Sequence, residues 1–328
     1  MHRYRMMGGI RAFLARRHRK IVQVLSAALF NANVGGFLSG TIYRGELKKI
    51  CVPGLNCYSC PGAVGSCPLG SLQASFNSFP KAVPMYVLGT LLVFGALFGR
   101  AICAFLCPFG LIQELLHKIP SRKIKKGVWT RRLTGIKYVV LAVFVLALPV
   151  YFLIRNGVVT PAFCKWLCPA GTLEGGFPLL IANENLRAAA GWLFSWKALV
   201  TVSVVALSVF MFRPFCRFLC PLGAIYSLFN RFALVGVRVD EEKCIHCGRC
   251  TRPCGMDVRE VNDRECLRCG DCIPRCPTHA IRWKWPTKKE EKIDEKTARG
   301  AAGAPDPVPR RAGCANCPGA DRRRGAGL

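Results

Sequence analysis

Acidic residues are scarce in this chain. Only 18 Asp and Glu stand against 47 Lys and Arg, for a formal net charge of +29. The familiar hydrolytic and nucleotide signatures are also missing. There is no G-x-S-x-G elbow, no H-E-x-x-H pair and no Walker loop, so no serine-hydrolase, zincin or P-loop chemistry is readable. A cation excess of this size suits nucleic acid, but its placement points elsewhere. Residues 1–20 carry seven Lys/Arg and no acid, and residues 103–137 carry eight against the single acid Glu114. The stretches 44–82 and 155–192 carry four and three.

Such alternation is a topology signal once apolar spans lie between the stretches. At 52% hydrophobic residues and a mean hydropathy of +0.27, the 328-residue chain is too apolar for an ordinary soluble enzyme. Four runs approach the length of a bilayer crossing, Ile21–Tyr43, Val83–Ile102, Ile136–Ile154 and Leu193–Phe212. The third is free of charge from Val139 to Leu148, whereas the first contains Asn31 and Asn33, which need partners inside a bundle. No clean small-residue cleavage site follows the first run, so it reads as a retained span and not a signal peptide. The positive-inside rule then puts the N-terminus, the middle loop and everything after the fourth span in the cytoplasm, and the other two loops outside. This is the topology of a multi-pass protein in the cytoplasmic membrane of a prokaryote, with no nucleic-acid partner.

Cysteine is abundant, at 20 residues. Cys244, Cys247, Cys250, Cys254 and then Cys266, Cys269, Cys272, Cys276-Pro277 are two consecutive C-x2-C-x2-C-x3-C runs. Three thiolates at such spacing wrap three corners of a [4Fe–4S] cube, while the fourth reaches across to the other cube. One cluster is thus expected on Cys244, Cys247, Cys250 and Cys276, the other on Cys266, Cys269, Cys272 and Cys254. Zinc modules use a longer spacer and have no use for the extra cysteines. His246 and His279 lie inside this segment but are read as loop residues, because the thiols already complete both cubes.

The membrane part is built twice. Gly99–Ile119 and Phe212–Phe232 share nine of 21 residues at an offset of 113. Each copy has a C-x3-C-P at the cytoplasmic end of a span, Cys103/Cys107-Pro108 and Cys216/Cys220-Pro221. Cysteines four apart share a helical face, so two such helices offer four thiolates to one further metal site. Arg100 and Arg213 precede these pairs and either snorkel to headgroups, offset cluster charge or hold a quinone head. Glu114 and His117 could handle quinol protons, although a solvated interfacial face is favoured. The outward loops hold Cys51, Cys57, Cys60, Cys67, Cys164 and Cys168, the last two again in C-x3-C-P. An outer-face metal or cluster site on Cys57, Cys60, Cys67, Cys164 and Cys168, or disulfides and a thiol redox pair there, are both open readings.

The expected organisation is a basic cytoplasmic N-terminus over 1–20, a membrane domain over 21–235, a ferredoxin domain over 236–283 and a disordered tail over 284–328 containing Cys314 and Cys317. The fold class is an α-helical membrane protein with four transmembrane helices as two internal repeats, followed by a C-terminal α+β two-cluster bacterial-type ferredoxin module. This combination of spans, C-x3-C-P pairs and eight ferredoxin cysteines resembles the NapH-type polyferredoxin family, a group of quinol dehydrogenases related to the membrane halves of NosR-type and CcoG-type proteins. The resemblance covers roughly residues 15–283. It implies electrons taken from quinol (menaquinone or ubiquinone) or a cytoplasmic donor and passed to a redox partner protein through two [4Fe–4S] clusters, with additional clusters where the other cysteines allow. The outer cysteines depart from the NapH pattern, and no flavin domain precedes the first span. Two other functions fit the outer cysteines, a thiol–disulfide reductant transporter and a copper reduction or assembly factor.

Overall fold

Proline, glycine and asparagine cut the apolar runs into more pieces than hydropathy predicts. The computed structural model describes residues 18–78, 84–124 and 126–284. Most of the basic N-terminal stretch and nearly all of the expected tail, with Cys314 and Cys317, lie outside the described residues.

Two helices are long and apolar enough to cross a membrane, Val128–Asn156 and Trp192–Phe210. They match the third and fourth expected spans. Only 22% and 17% of their most apolar windows are buried inside the protein, and Val139, Val202 and Leu199 are among the exposed side chains. A soluble core helix would bury such residues. The longer helix passes through a π segment, Leu141–Ala147, one residue before the turn that begins with Leu148 and Pro149. Proline supplies no N–H to the turn before it, and the wider π turn absorbs the mismatch.

The first two expected spans are shorter than the reading of 21–43 and 83–102. Residues 18–30 are helical and break at Asn31. Asn31 and Asn33 do find internal partners, Nδ2 of each donating to the carbonyls of Ala27 at 3.0 Å and Pro61 at 2.8 Å. Helix Met85–Phe98 stops at Gly99, whose φ of +53° places a hypothetical β-carbon 3.0 Å from Asn230 Oδ1. Fourteen residues at about 1.5 Å each give about 21 Å, short of the roughly 30 Å hydrocarbon core.

After each of these breaks the chain forms short helices around cysteines. Segment 51–67 belongs to a loop that the sequence places outside the membrane, and within it Cys51 to Asn56 are all buried. A bridge between Cys51 and Ser66 closes it, and Lys48 donates to Ala63 O at 2.6 Å. The core that results contains Cys67, Cys103, Cys107, Cys168 and Cys220 packed with Phe109, Phe163, Phe215 and Tyr226.

The C-terminal module is closed by two strands, β1 (Gly236–Val239) and β2 (Ile281–Lys284). They pair antiparallel with Gly236 opposite Lys284 and Val239 opposite Ile281, so all eight ferredoxin cysteines lie in the segment between them.

Candidate functional site

In the ferredoxin module the two cysteine runs fold alike. His246 and Gly248 follow Cys244 with φ of +51° and +71°, and Arg268 and Gly270 follow Cys266 with +52° and +78°. Alternating left-handed residues turn successive N–H groups inward and form the concave amide nest that suits anionic sulfur. The Arg268 N–H donates to Cys266 Sγ at 3.4 Å. Cys250 lies within electrostatic reach of Cys247 and Cys244, Cys254 within reach of Cys266, and Cys272 within reach of Cys266, Cys250 and Cys254. His246 is exposed and reaches toward Glu241 at 4.0 Å.

This module is bolted to the membrane repeat by buried charge. Glu265, next to Cys266, takes Arg100 Nη1 at 2.7 Å and Lys137 Nζ at 2.5 Å, both cations being fully buried. Arg100 also donates to Cys216 O at 3.3 Å. Arg217 pairs with Asp257, and Asn230 Nδ2 donates to the carbonyls of Asp263 and Cys266, each at 2.8 Å. Arg100 and Arg213 therefore do not snorkel. Glu114 is likewise no solvated face: it is 4% exposed and pairs with Arg213, Arg19 and Lys20. His117 packs edge-on against Phe212, with its Nδ1 buried and unpartnered.

The C-x3-C-P units share one local structure. In Ala101–Phe105, Ala162–Trp166 and Pro214–Phe218, a five-residue helix ends at Leu106, Leu167 or Leu219, with φ of −112°, −120° and −118°. The second cysteine follows. The proline after it holds that cysteine out of the helical region and starts the next helix. Cys107, Cys168 and Cys220 then cap that helix through sulfur, accepting at 3.4 Å from the N–H of Gly110, Gly171 and Gly223 respectively. A sulfur at a helix N-terminus sits in a field that favours thiolate.

The inner pairs come together. Cys103, Cys107, Cys216 and Cys220 are all buried and act electrostatically on one another. Burial pushes the Cys103 thiol up, and the Arg100 and Arg213 guanidiniums oppose it. Gln113 ties the halves together, its Nε2 donating to Cys216 Sγ at 3.2 Å and its Oε1 accepting from Phe215 N at 3.1 Å. The Nε atoms of Arg100 and Arg213 are buried without partners. Four cysteines beside two buried guanidiniums, each ion-paired on its far side but with an unpartnered Nε, fit an anionic iron–sulfur cube.

The outer cysteines converge only in part. Cys57, Cys67, Cys164 and Cys168 act on one another; Cys60 also acts on Cys57, but its Sγ donates to Asn31 Oδ1 at 3.6 Å. Burial pushes the Cys57 and Cys164 thiols up to about 12. Glu174 Oε2 accepts from Cys57 N at 3.0 Å and its Oε1 is buried without a partner. Although the residue is partly exposed, burial of its carboxyl raises it to about 7. All 18 described cysteines are free. Among the described residues no three His, Cys, Asp or Glu side chains are grouped to hold a metal ion; a cubane spreads its four thiolates over four irons and does not require such a group. Gln73, Gln113 and Glu174 escaped the sequence reading; the recoverable signal is that each stands six residues after a Cys-Pro cysteine.

Three segments, 82–127, 137–177 and 192–238, match the family model of a 4Fe-4S binding domain. Each contains one C-x3-C-P unit, and the run Cys244–Cys276 lies outside all three. The chain is 26% identical to the putative electron transport protein YccM of Escherichia coli, over 53% of this chain and 46% of that protein. It is 28% identical to the methylamine utilization ferredoxin-type protein MauN of Paracoccus denitrificans, over 59% and 62%. It is 29% identical to the regulatory protein NosR of Stutzerimonas stutzeri, over 48% and 20%. The chain spans about half to two thirds of the length of the curated relatives it matches first. No solved structure matches it. These matches make the chain similar to the ferredoxin-type proteins of electron transport, with its 4Fe–4S binding segments repeated three times around the C-x3-C-P units.

Proposed function

We propose that the chain is a membrane-bound electron-transfer protein whose C-terminal module holds two [4Fe–4S] clusters, one on Cys244, Cys247, Cys250 and Cys276 and one on Cys266, Cys269, Cys272 and Cys254. The observation that carries this reading is the matched left-handed pairs, His246 with Gly248 and Arg268 with Gly270, which give both runs the same amide-lined loop. When bound, the clusters supply one-electron chemistry. The protein's own residues set position and field. Arg100, Lys137 and Glu265 dock the second loop on the membrane repeat, and the four inner cysteines form the next thiol site along, read here as a third cluster.

The electron donor is quinol or a cytoplasmic one-electron carrier, and the acceptor is a redox partner protein, as in a NapH-type quinol dehydrogenase. The two apolar helices with exposed faces support the membrane setting. The ferredoxin module lies on the cytoplasmic side in the reading from charge.

Anaerobically purified protein in liposomes tests this reading. Reduced menaquinone analogue or dithionite should bleach the cluster absorbance, and Cys250→Ser and Cys272→Ser should each remove about four irons, one cube. Protein in which both variants keep the wild-type iron content has no ferredoxin clusters there. Bleaching by dithionite with none by quinol discards the quinol donor alone.

A further inference from the structure

The Cys-Pro-x-Gly step occurs four times, at Cys67, Cys107, Cys168 and Cys220. Two copies build the inner site, and the other two meet in the outer part of the molecule with the same internal wiring. Gln73 stands six residues after Cys67 as Gln113 stands six after Cys107. Its Nε2 donates to Cys164 Sγ at 3.5 Å and its Oε1 accepts from Phe163 N at 3.2 Å, as Gln113 does with Cys216 and Phe215. Both glutamines are buried to within 1%. The one break in the equivalence is informative: the residue four before Cys67 is Ala63 where Cys103 precedes Cys107. The missing thiol comes from Cys57.

We propose that Cys57, Cys67, Cys164 and Cys168 hold an additional four-iron iron–sulfur cluster, set back to back with the inner cysteine site and leaving Cys51 and Cys60 as non-ligands. The proposal extends the electron-transfer reading to the outer half of the chain. The sulfurs converge on two glycines: a β-carbon at Gly171 would touch Cys57 Sγ at 3.6 Å and Cys168 Sγ at 3.7 Å, and one at Gly70 would touch Cys164 Sγ at 3.8 Å. Two of the sulfurs have donors in place: Gly171 N–H donates to Cys168 Sγ at 3.4 Å and Gln73 Nε2 to Cys164 Sγ at 3.5 Å. Hydrogen bonds to sulfur are one of the means by which a protein holds a cluster and sets its potential. A disulfide would need none of them.

The two sites are neighbours through a single stretch of backbone. A β-carbon at Gly54, between Pro53 and Leu55 of the outer segment, would stand 3.1 Å from Leu106 O and 3.2 Å from Cys107 Cα of the inner site. Tyr226 lies between the sites, its hydroxyl donating to Pro53 O at 2.9 Å, within electrostatic reach of Cys103, Cys107, Cys220 and Cys67.

Iron and acid-labile sulfide counting on the anaerobically purified full chain tests the proposal. With four cubes the wild type should hold about 16 irons. Cys168→Ser and Cys57→Ser should each lower the count by about four while the ferredoxin EPR signal persists, which also reports that the variants are folded. Cys60→Ser should keep the full count. Unchanged iron in both outer variants overturns the proposal, as does a count that falls equally in Cys60→Ser. So does recovery of the outer thiols as disulfides, or stoichiometric zinc or copper in their place. Those outcomes leave the ferredoxin clusters standing, because Cys250→Ser and Cys272→Ser report on them separately.

Discussion

Gln113 and Cys216 join the two halves of the C-x3-C-P repeat, the amide Nε2 resting 3.2 Å from the sulfur while Oε1 holds the N–H of Phe215. One side chain thus fixes both the first cysteine of the opposite unit and the helix that carries it. Gln113→Leu keeps the bulk but strands a buried N–H, at a cost of about 1–3 kcal/mol. We expect a lower unfolding temperature and a shifted EPR signature for the inner cluster, with the ferredoxin signals unchanged. An unaltered spectrum at reduced stability would make the glutamine merely a packing residue.

Glu265 faces two cations that have no water to fall back on. Glu265→Ala leaves Arg100 and Lys137 buried and unpaired, a loss of about 3–5 kcal/mol. The expected result is faster proteolysis at the junction near residue 236 and loss of the second ferredoxin cluster. Glu46→Ala removes an exposed pair with Lys49 and should change stability by less than about 1 kcal/mol. Equal behaviour of the two variants would contradict the docking role.

Gly171→Val adds bulk between Cys57 and Cys168 without removing a thiol. We expect it to expel the outer group, lowering iron by about four per chain, while Gly157→Val, at a site with nothing within 4 Å but φ of +69°, costs stability alone. Retention of all iron in Gly171→Val would show that the sulfurs do not share a ligand there.

Val202 is 58% exposed on helix Trp192–Phe210, whereas Val204 is 4% exposed. If that outer face meets lipid, Val202→Arg should cost about 2.5–3.5 kcal/mol of insertion and reduce the fraction that stays with membranes after alkaline carbonate extraction. A variant that extracts like wild type would count against a lipid-facing position.

Local spacing made the ferredoxin loops and the C-x3-C-P repeat legible, because a few adjacent residues determine each cap and nest. Pairing between distant segments was not. Nothing in the order of residues says that Cys57 lies among Cys67, Cys164 and Cys168, or that Cys60, three residues on, turns to Asn31. Hydropathy also overestimated the first two spans, since Asn31 and Gly99 end helices inside runs whose average remains apolar. Glu114 looked solvent-facing because its countercharges, Arg19, Lys20 and Arg213, come from other parts of the chain.

In the proposed membrane setting, the close approach of Gly54 to Cys107, whose Cα would stand 3.2 Å from a β-carbon there, leaves a membrane voltage only a short step to act over. Moving one elementary charge across the full bilayer is worth about 2.3 kcal/mol per 100 mV, and a step between the two proposed cluster sites would take a share of that drop. On the proposed orientation, with the cell interior negative, an electron leaving the Cys107 side for the Cys67 side moves toward positive potential and so downhill in energy, and one entering moves uphill. Energised membranes would therefore bias this chain toward export of electrons, and collapsing the potential would relax that bias with no change in any cluster.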